Sequence, residues 1–450
     1  MADDGEFNLS KARICIDFGT ALSKASVCLD PTMPLELGVR PLPLGAASGA
    51  EHPLLTPSIL LVDGGRVYFG PAAFEHARTG VGGDPLLSFK TVLGARDVNE
   101  ALAAKLHPAI DPTGSFRQRD ALALYLAYLD QLIREAVKLC LNLPPGVIHA
   151  RRRYTSPVWK AGSGADRVYE TIFNEAAAIS AKLGRLFLSR EGISIAQCKD
   201  ALDKAATAPG DGRLETGVFE PHAAAAASFA FSAEPARLVM VIDIGAGTTD
   251  IAAFDFDERS EPPSLTEIKE ARQCSALAGD EIDRILLELF WRKRNGAERT
   301  REEEMRVLRV ARLTARELKQ ELFTQGRCSL KLGWFATIVR VEELNDDPRF
   351  REYQAALGQI IATSLAAVTA RAEAVGAPLI DVVLAGGGSN LPFLPELVRK
   401  TGARRGIGLR IAPLSPISSL YDGVDPSLGG AFPQIAMSVG GALVEMMPSA

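Results

Sequence analysis

Three glycine-rich turns carry the residue types and spacings in this sequence that could do chemistry. They are Asp17-Phe18-Gly19-Thr20, Asp243-Ile244-Gly245-Ala246-Gly247-Thr248-Thr249-Asp250 and Ala385-Gly386-Gly387-Gly388-Ser389-Asn390. A nucleoside triphosphate needs many donors close to its oxygens, and only glycine lets the backbone approach while adopting positive φ angles. In the first turn Gly19 would offer backbone amides and Thr20 a hydroxyl, with Asp17 at the strand end. In the second, Gly245 and Gly247 flank the small Ala246, Thr248 and Thr249 supply hydroxyls, and Asp243 and Asp250 supply carboxylates. Magnesium prefers oxygen ligands and keeps several waters, so carboxylates set back from the phosphates suit it. Each turn alone also fits an ordinary hairpin, and the third fits a tight strand-to-helix connection. Their joint occurrence points to a phosphate clamp. No Gly-x-x-x-x-Gly-Lys-Ser/Thr is present, so the P-loop route to the same end is absent.

The elements that would position these turns repeat. Residues 11–16 and 25–29 read as strands around the first turn, and 238–242 and 251–254 as strands around the second. The same pattern in both halves predicts an α/β protein of two duplicated lobes with a cleft between them. Residues 380–384 form a further apolar strand feeding the third turn. Helical spacing predicts helices over 120–141, 167–183, 280–294 and 301–323, and a closing helix over 434–447. The alanine-rich stretch 223–231 suits tight packing against a neighbour. The charge run from Glu302 to Arg316 reads as a solvated helix face. Residues 184–217, with Pro209-Gly210-Asp211-Gly212 as a loop, read as an insertion and a natural place for a partner contact.

Composition bounds the rest. With 450 residues, 47% hydrophobic and 23% charged, the chain can bury a large core divided into two or more lobes. A formal net charge of -5 gives no basic footprint, so nucleic acid is not an expected partner. The six cysteines are scattered, which indicates neither a zinc site nor a disulfide framework and fits a reducing cytoplasm. No signal peptide is visible, and no uninterrupted apolar run reaches the roughly 18 residues of a membrane span.

The motifs resemble the actin-like ATPase superfamily and, within it, the ATPase domain of the heat-shock protein 70 chaperones. The three turns look like the family's two phosphate loops and its adenosine loop. Leu55-Thr56-Pro57-Ser58, Phe89-Lys90-Thr91-Val92-Leu93-Gly94, Thr155-Ser156-Pro157, Phe219-Glu220-Pro221-His222-Ala223-Ala224-Ala225 and Leu277-Ala278-Gly279-Asp280-Glu281-Ile282-Asp283 resemble further motifs of the chaperone branch, in the family's order. The resemblance implies duplicated ribonuclease-H-like lobes with four subdomains around a central nucleotide cleft. Lobe I would span 1–235, with a core of 10–45 and 112–235, an inserted outer subdomain at 46–111 and the extra insertion at 184–217. Lobe II would span 236–450, with a core of 236–276 and 355–450 and an inserted outer subdomain at 277–354.

By the same resemblance ATP or ADP would be bound with Mg2+. Lys90, Glu220, Asp243 and Thr248 would be catalytic, and Asp17, Asp243 and Asp250 would hold the hydrated metal. Gly19, Thr20, Ala21, Gly245, Ala246, Gly247, Thr248, Thr249, Gly279, Glu317, Lys319, Gln320, Gly386, Gly387, Gly388 and Asn390 would contact the nucleotide. The chain departs from the family at Ala21 and Leu22 in the first turn, and at Gly388 and Asn390, where serine and arginine are usual. Arg316 and Gln320 stand where glutamate and arginine are usual, with Glu317 able to compensate. The chain would lack the peptide-binding half and act as a switch on a protein partner: a client, a co-chaperone or an exchange factor. The alternatives are a small-molecule kinase and an actin-like or division-type filament protein of the same superfamily.

Overall fold

Strand β1 (Arg13–Phe18) is buried at every position, as a central strand covered on both faces must be. It pairs antiparallel with β2 (Leu22–Cys28) across the first glycine turn. On its other side β1 runs parallel to Arg151–Ser156, which pairs in turn with Val218–Phe219, while Val39–Leu42 borders β2. The second half repeats this plan. β3 (Leu238–Ile244) pairs antiparallel with β4 (Thr249–Asp257) across the second turn and parallel with β5 (Ile380–Ala385), which leads into the third. The duplicated sheets predicted from the sequence are therefore present, and the chain is a mixed α/β protein consistent with the actin-like ATPase fold. The computed structural model describes residues 11–33, 35–79, 82–140, 142–156, 164–208, 210, 212–232, 234–257, 264–294, 300–403, 408–412 and 431–443. Leu141, Pro157, Pro209, Asp211 and 444–447, which expected elements include, lie outside them.

Two helices tie the lobes together. α1 (Glu220–Phe231) rises from the lobe I sheet but packs on β3 and β4 of lobe II. The last described helix, Phe432–Leu443, packs instead on β1 and β2 of lobe I. That helix, expected in lobe II from its place in the chain, lies against the lobe I hairpin. The two helices also pack on each other. A Cβ at Gly440 would lie 1.7 Å from the Ala223 carbonyl oxygen, and Ser26 Oγ is 2.8 Å from Ser438 Oγ. The expected tight packing of the alanine-rich stretch has this physical form.

Within the expected insertion at 184–217, residues 184–205 are a built layer of lobe I. Ile193–Ser194 pairs with Arg66–Val67 in the outer sheet, and the Ser194 side chain caps helix Ile195–Ala205 in a capping box with Gln197. Phe187, Ile193, Cys198, Ala201 and Ala205 are buried in the lobe I core. Helix Pro348–Val375 has the length and apolar composition of a membrane span, although no uninterrupted apolar run fills it. Its Phe350, Tyr353, Leu357, Ile361, Leu365 and Val368 are buried in the lobe II core.

Candidate functional site

The two hairpins place one acid each at the same register position, and the residue across from it differs. In an antiparallel pair, directly opposed residues share a face, so their charges add or cancel. Asp17 on β1 is opposed by Lys24 on β2, with Lys24 Nζ 2.7 Å from Asp17 Oδ2, and Thr155 Oγ1 donates to Asp17 Oδ1 at 2.9 Å. Asp243 on β3 is opposed by a second acid, Asp250 on β4. Glu220, at the start of α1, joins them, and one carboxylate oxygen from each of the three lies within 4.8 Å of the others.

All three acids are buried, and among the described residues Asp243 Oδ1 and both oxygens of Asp250 accept no hydrogen bond. Burial, followed by the charges of Glu220 and Asp250, holds the Asp243 carboxyl well above the usual carboxylate range. Burial also raises Asp250, tempered by Cys274 and Thr248 beside it, and raises Glu220 against the pull of Lys90. Oxygen-only donors with unsatisfied lone pairs and crowded negative charge fit a hydrated Mg2+. Asp243 and Asp250 would hold it, with Glu220 beside them. Asp17, also expected in the metal set, lies beside Lys24 across the ladder and accepts from Thr155, while its Oδ2 accepts no hydrogen bond among the described residues.

These groups open into a cleft of about 1320 Å³. Gly19, Thr20 and Ala21 line one wall and Gly245, Ala246, Gly247 and Thr248 the other. The turns face each other closely: a Cβ at Gly247 would lie 2.9 Å from Thr91 Cγ2 and 3.1 Å from Thr20 Cγ2. The second turn is held from behind by α2 (Gly279–Arg292), whose Gly279 and Asp280 amides donate to the Gly245 and Ala246 carbonyls at 3.1 and 2.8 Å. Lys90 enters from the 3-10 turn Phe89–Gly94 and is ion-paired with Glu220. Gly386 takes φ 74, and a Cβ there would fall 2.2 Å from Asp243 Oδ1, so the third turn leans directly on the metal-side acid.

Helix α3 (Arg301–Gln325) supplies the far wall through Arg316, Lys319, Gln320, Phe323 and Thr324, with Gly387, Gly388 and Asn390 opposite. Lys319 Nζ donates to the Gly279 carbonyl at 2.9 Å and pairs with Asp283 at 2.8 Å, which braces α3 on α2. Two expected contacts are not brought in. Glu317 lies off the face defined by 316, 319, 320 and 323 and does not line the cleft; Arg316 does. Thr249 donates its hydroxyl to the Leu277 carbonyl at 2.6 Å and is fully buried in the sheet. Sequence reasoning placed Arg316 at a family position of this helix but missed Lys24, Phe323 and Cys274; the helical spacing of 316, 320 and 323 was the available signal for Phe323.

The charge run of α3 is more than a solvated face. Arg309 pairs with Asp84 and donates to the Gly82 carbonyl at 2.8 Å, and Arg306 donates to the Thr79 carbonyl at 2.9 Å. Leu313 is buried among Ile59, Leu61, Tyr68, Ala73 and Ala77, and Ser88 Oγ donates to Asp280 Oδ2 at 2.9 Å. The outer parts of the lobes therefore meet over the cleft.

The family model described as Hsp70 protein matches residues 216–406, a span that contains Glu220, the second and third turns, α2 and α3. The first turn, Lys24 and Lys90 lie outside that span. No curated protein matches the chain.

Proposed function

We propose that this chain, a member of the Hsp70 family through its ATPase-domain segment at 216–406, binds ATP and hydrolyses it slowly, switching conformation to act on a protein partner. The observation that carries this reading is the buried group of Glu220, Asp243 and Asp250 facing two glycine turns across one cleft. Backbone amides at Gly19–Ala21 and Gly245–Thr248 would bind the phosphates, and Lys90 would neutralise charge developing on the transferred phosphoryl oxygens. Glu220 would orient the attacking water. Because Lys90 and Glu220 are ion-paired, that pair must open before either reaches substrate, which favours slow turnover. Bound Mg2+ would supply charge neutralisation of the phosphates.

The switch follows from the packing. The contacts of Arg306, Arg309 and Leu313 close the cleft, while α1 and the Phe432–Leu443 helix form a pivot deep between the sheets. Nucleotide spanning both turns would stabilise closure, and phosphate loss would weaken it, with a client, co-chaperone or exchange factor reading the difference. Single-turnover hydrolysis of γ-labelled ATP with magnesium tests the enzyme reading. Slow formation of ADP and phosphate supports it; bound ATP that is never cleaved refutes hydrolysis.

A further inference from the structure

We infer that Lys24 is a second phosphate-binding cation of the cleft, meeting the polyphosphate of ATP or ADP at the first turn while Asp17 anchors it. The inference rests on the reading of the cleft as a nucleotide site. Lys24 lines the cleft, and its Nζ would lie 3.2 Å from a Cβ built at Gly19, so the ammonium sits at the glycine that opens the turn. Its side chain is only 10% exposed. An ammonium has three donors, more than its ion pair with Asp17 occupies.

A buried pair of this kind is a poor stabilising device, since desolvation of two ions offsets their attraction and apolar residues of like volume serve as well or better. Position supplies the reason to keep it. Four carboxylates, Asp17, Glu220, Asp243 and Asp250, lie around the site, and of the three lysines that line it Lys90 is tied to Glu220 and Lys319 to Asp283. Polyphosphate entering between the turns would meet the unpaired acids on the lobe II side, where a divalent cation fits. On the lobe I side the Lys24 ammonium lies at the turn itself, and a charge-assisted hydrogen bond from it would favour charged oxygens over a neutral nucleoside.

The test measures affinities of MgATP, MgADP and adenosine by calorimetry for the wild type, Lys24→Met and the double variant Asp17→Asn/Lys24→Met, with Tm for each. Lys24→Met should weaken MgATP and MgADP by about tenfold or more and leave adenosine unchanged. The double variant removes the buried pair as a unit, so it should recover wild-type Tm without recovering phosphate affinity. Wild-type MgATP affinity in either variant would overturn the inference and reduce Lys24 to a partner for Asp17. Equal losses for adenosine and MgATP would overturn it as well. Absence of MgATP binding by the wild type would instead sink the nucleotide reading itself, and this inference with it.

Discussion

The two glycine hairpins have one topology and opposite electrostatics. In lobe I the acid at the end of the first strand faces a lysine and a threonine hydroxyl; in lobe II the acid at the same place faces another acid, with a third at the start of α1. Like charges directly opposed across a ladder are destabilising, so the lobe II arrangement persists at a cost in the free protein. Duplication thus supplied one backbone cradle twice, and the cross-strand residue divided the work. The lobe I hairpin pairs its acid with a lysine, and the lobe II hairpin gathers acids that a cation would complete.

This contrast is open to direct attack. The largest effect should come from Asp243→Asn, which should lower magnesium-dependent hydrolysis by about 100-fold to 1,000-fold, while Asp17→Asn should cost about tenfold. Equal losses in steady-state turnover would erase the distinction between the hairpins. Lys90→Ala comes next: hydrolysis should slow about 100-fold with ATP affinity changed by less than about threefold, since its task is in the transition state. Unchanged turnover would remove Lys90 from the mechanism.

Gly386→Ala should act through lobe II alone. Its φ of 74 is strained for alanine, and the new Cβ would collide with Asp243 Oδ1 at 2.2 Å. A loss of about 1–3 kcal/mol in denaturant unfolding is expected, together with a weaker magnesium response. Glu317→Ala should give the smallest effect, less than about twofold in ATP affinity, because lone surface charges outside a site contribute little. A tenfold loss there would return Glu317 to the ribose side of the cleft.

Much of this was legible in the residues. Central strands buried on both faces appear as continuous apolar runs, which placed 238–242 and the strand before Gly386, while alternation before the first glycine turn placed the lobe I hairpin. The turns gave the phosphate reading, and Lys90, Glu220, Asp243 and Thr248 do line or border one cleft. What escaped was set by register and by tertiary contact. Lys24 becomes meaningful only once it is paired across from Asp17, and Glu220 joins the metal-side acids only because α1 crosses onto the lobe II sheet. The layer at 184–205 is built on a two-residue strand and a helix whose buried face is Cys198, Ala201 and Ala205, too small and too short to stand out as periodic. The last described helix follows lobe II in the chain yet lies on the lobe I hairpin, because packing, and not chain order, decides which sheet face it covers.

The central claim is that the two turns and the buried acids form one magnesium-dependent nucleotide clamp. Isothermal calorimetry with ATP, ADP and GTP, each with and without magnesium, tests it most directly. One nucleotide should bind per chain, with ATP affinity rising clearly when magnesium is added. No binding of any nucleotide, or ATP binding indifferent to magnesium, would contradict it.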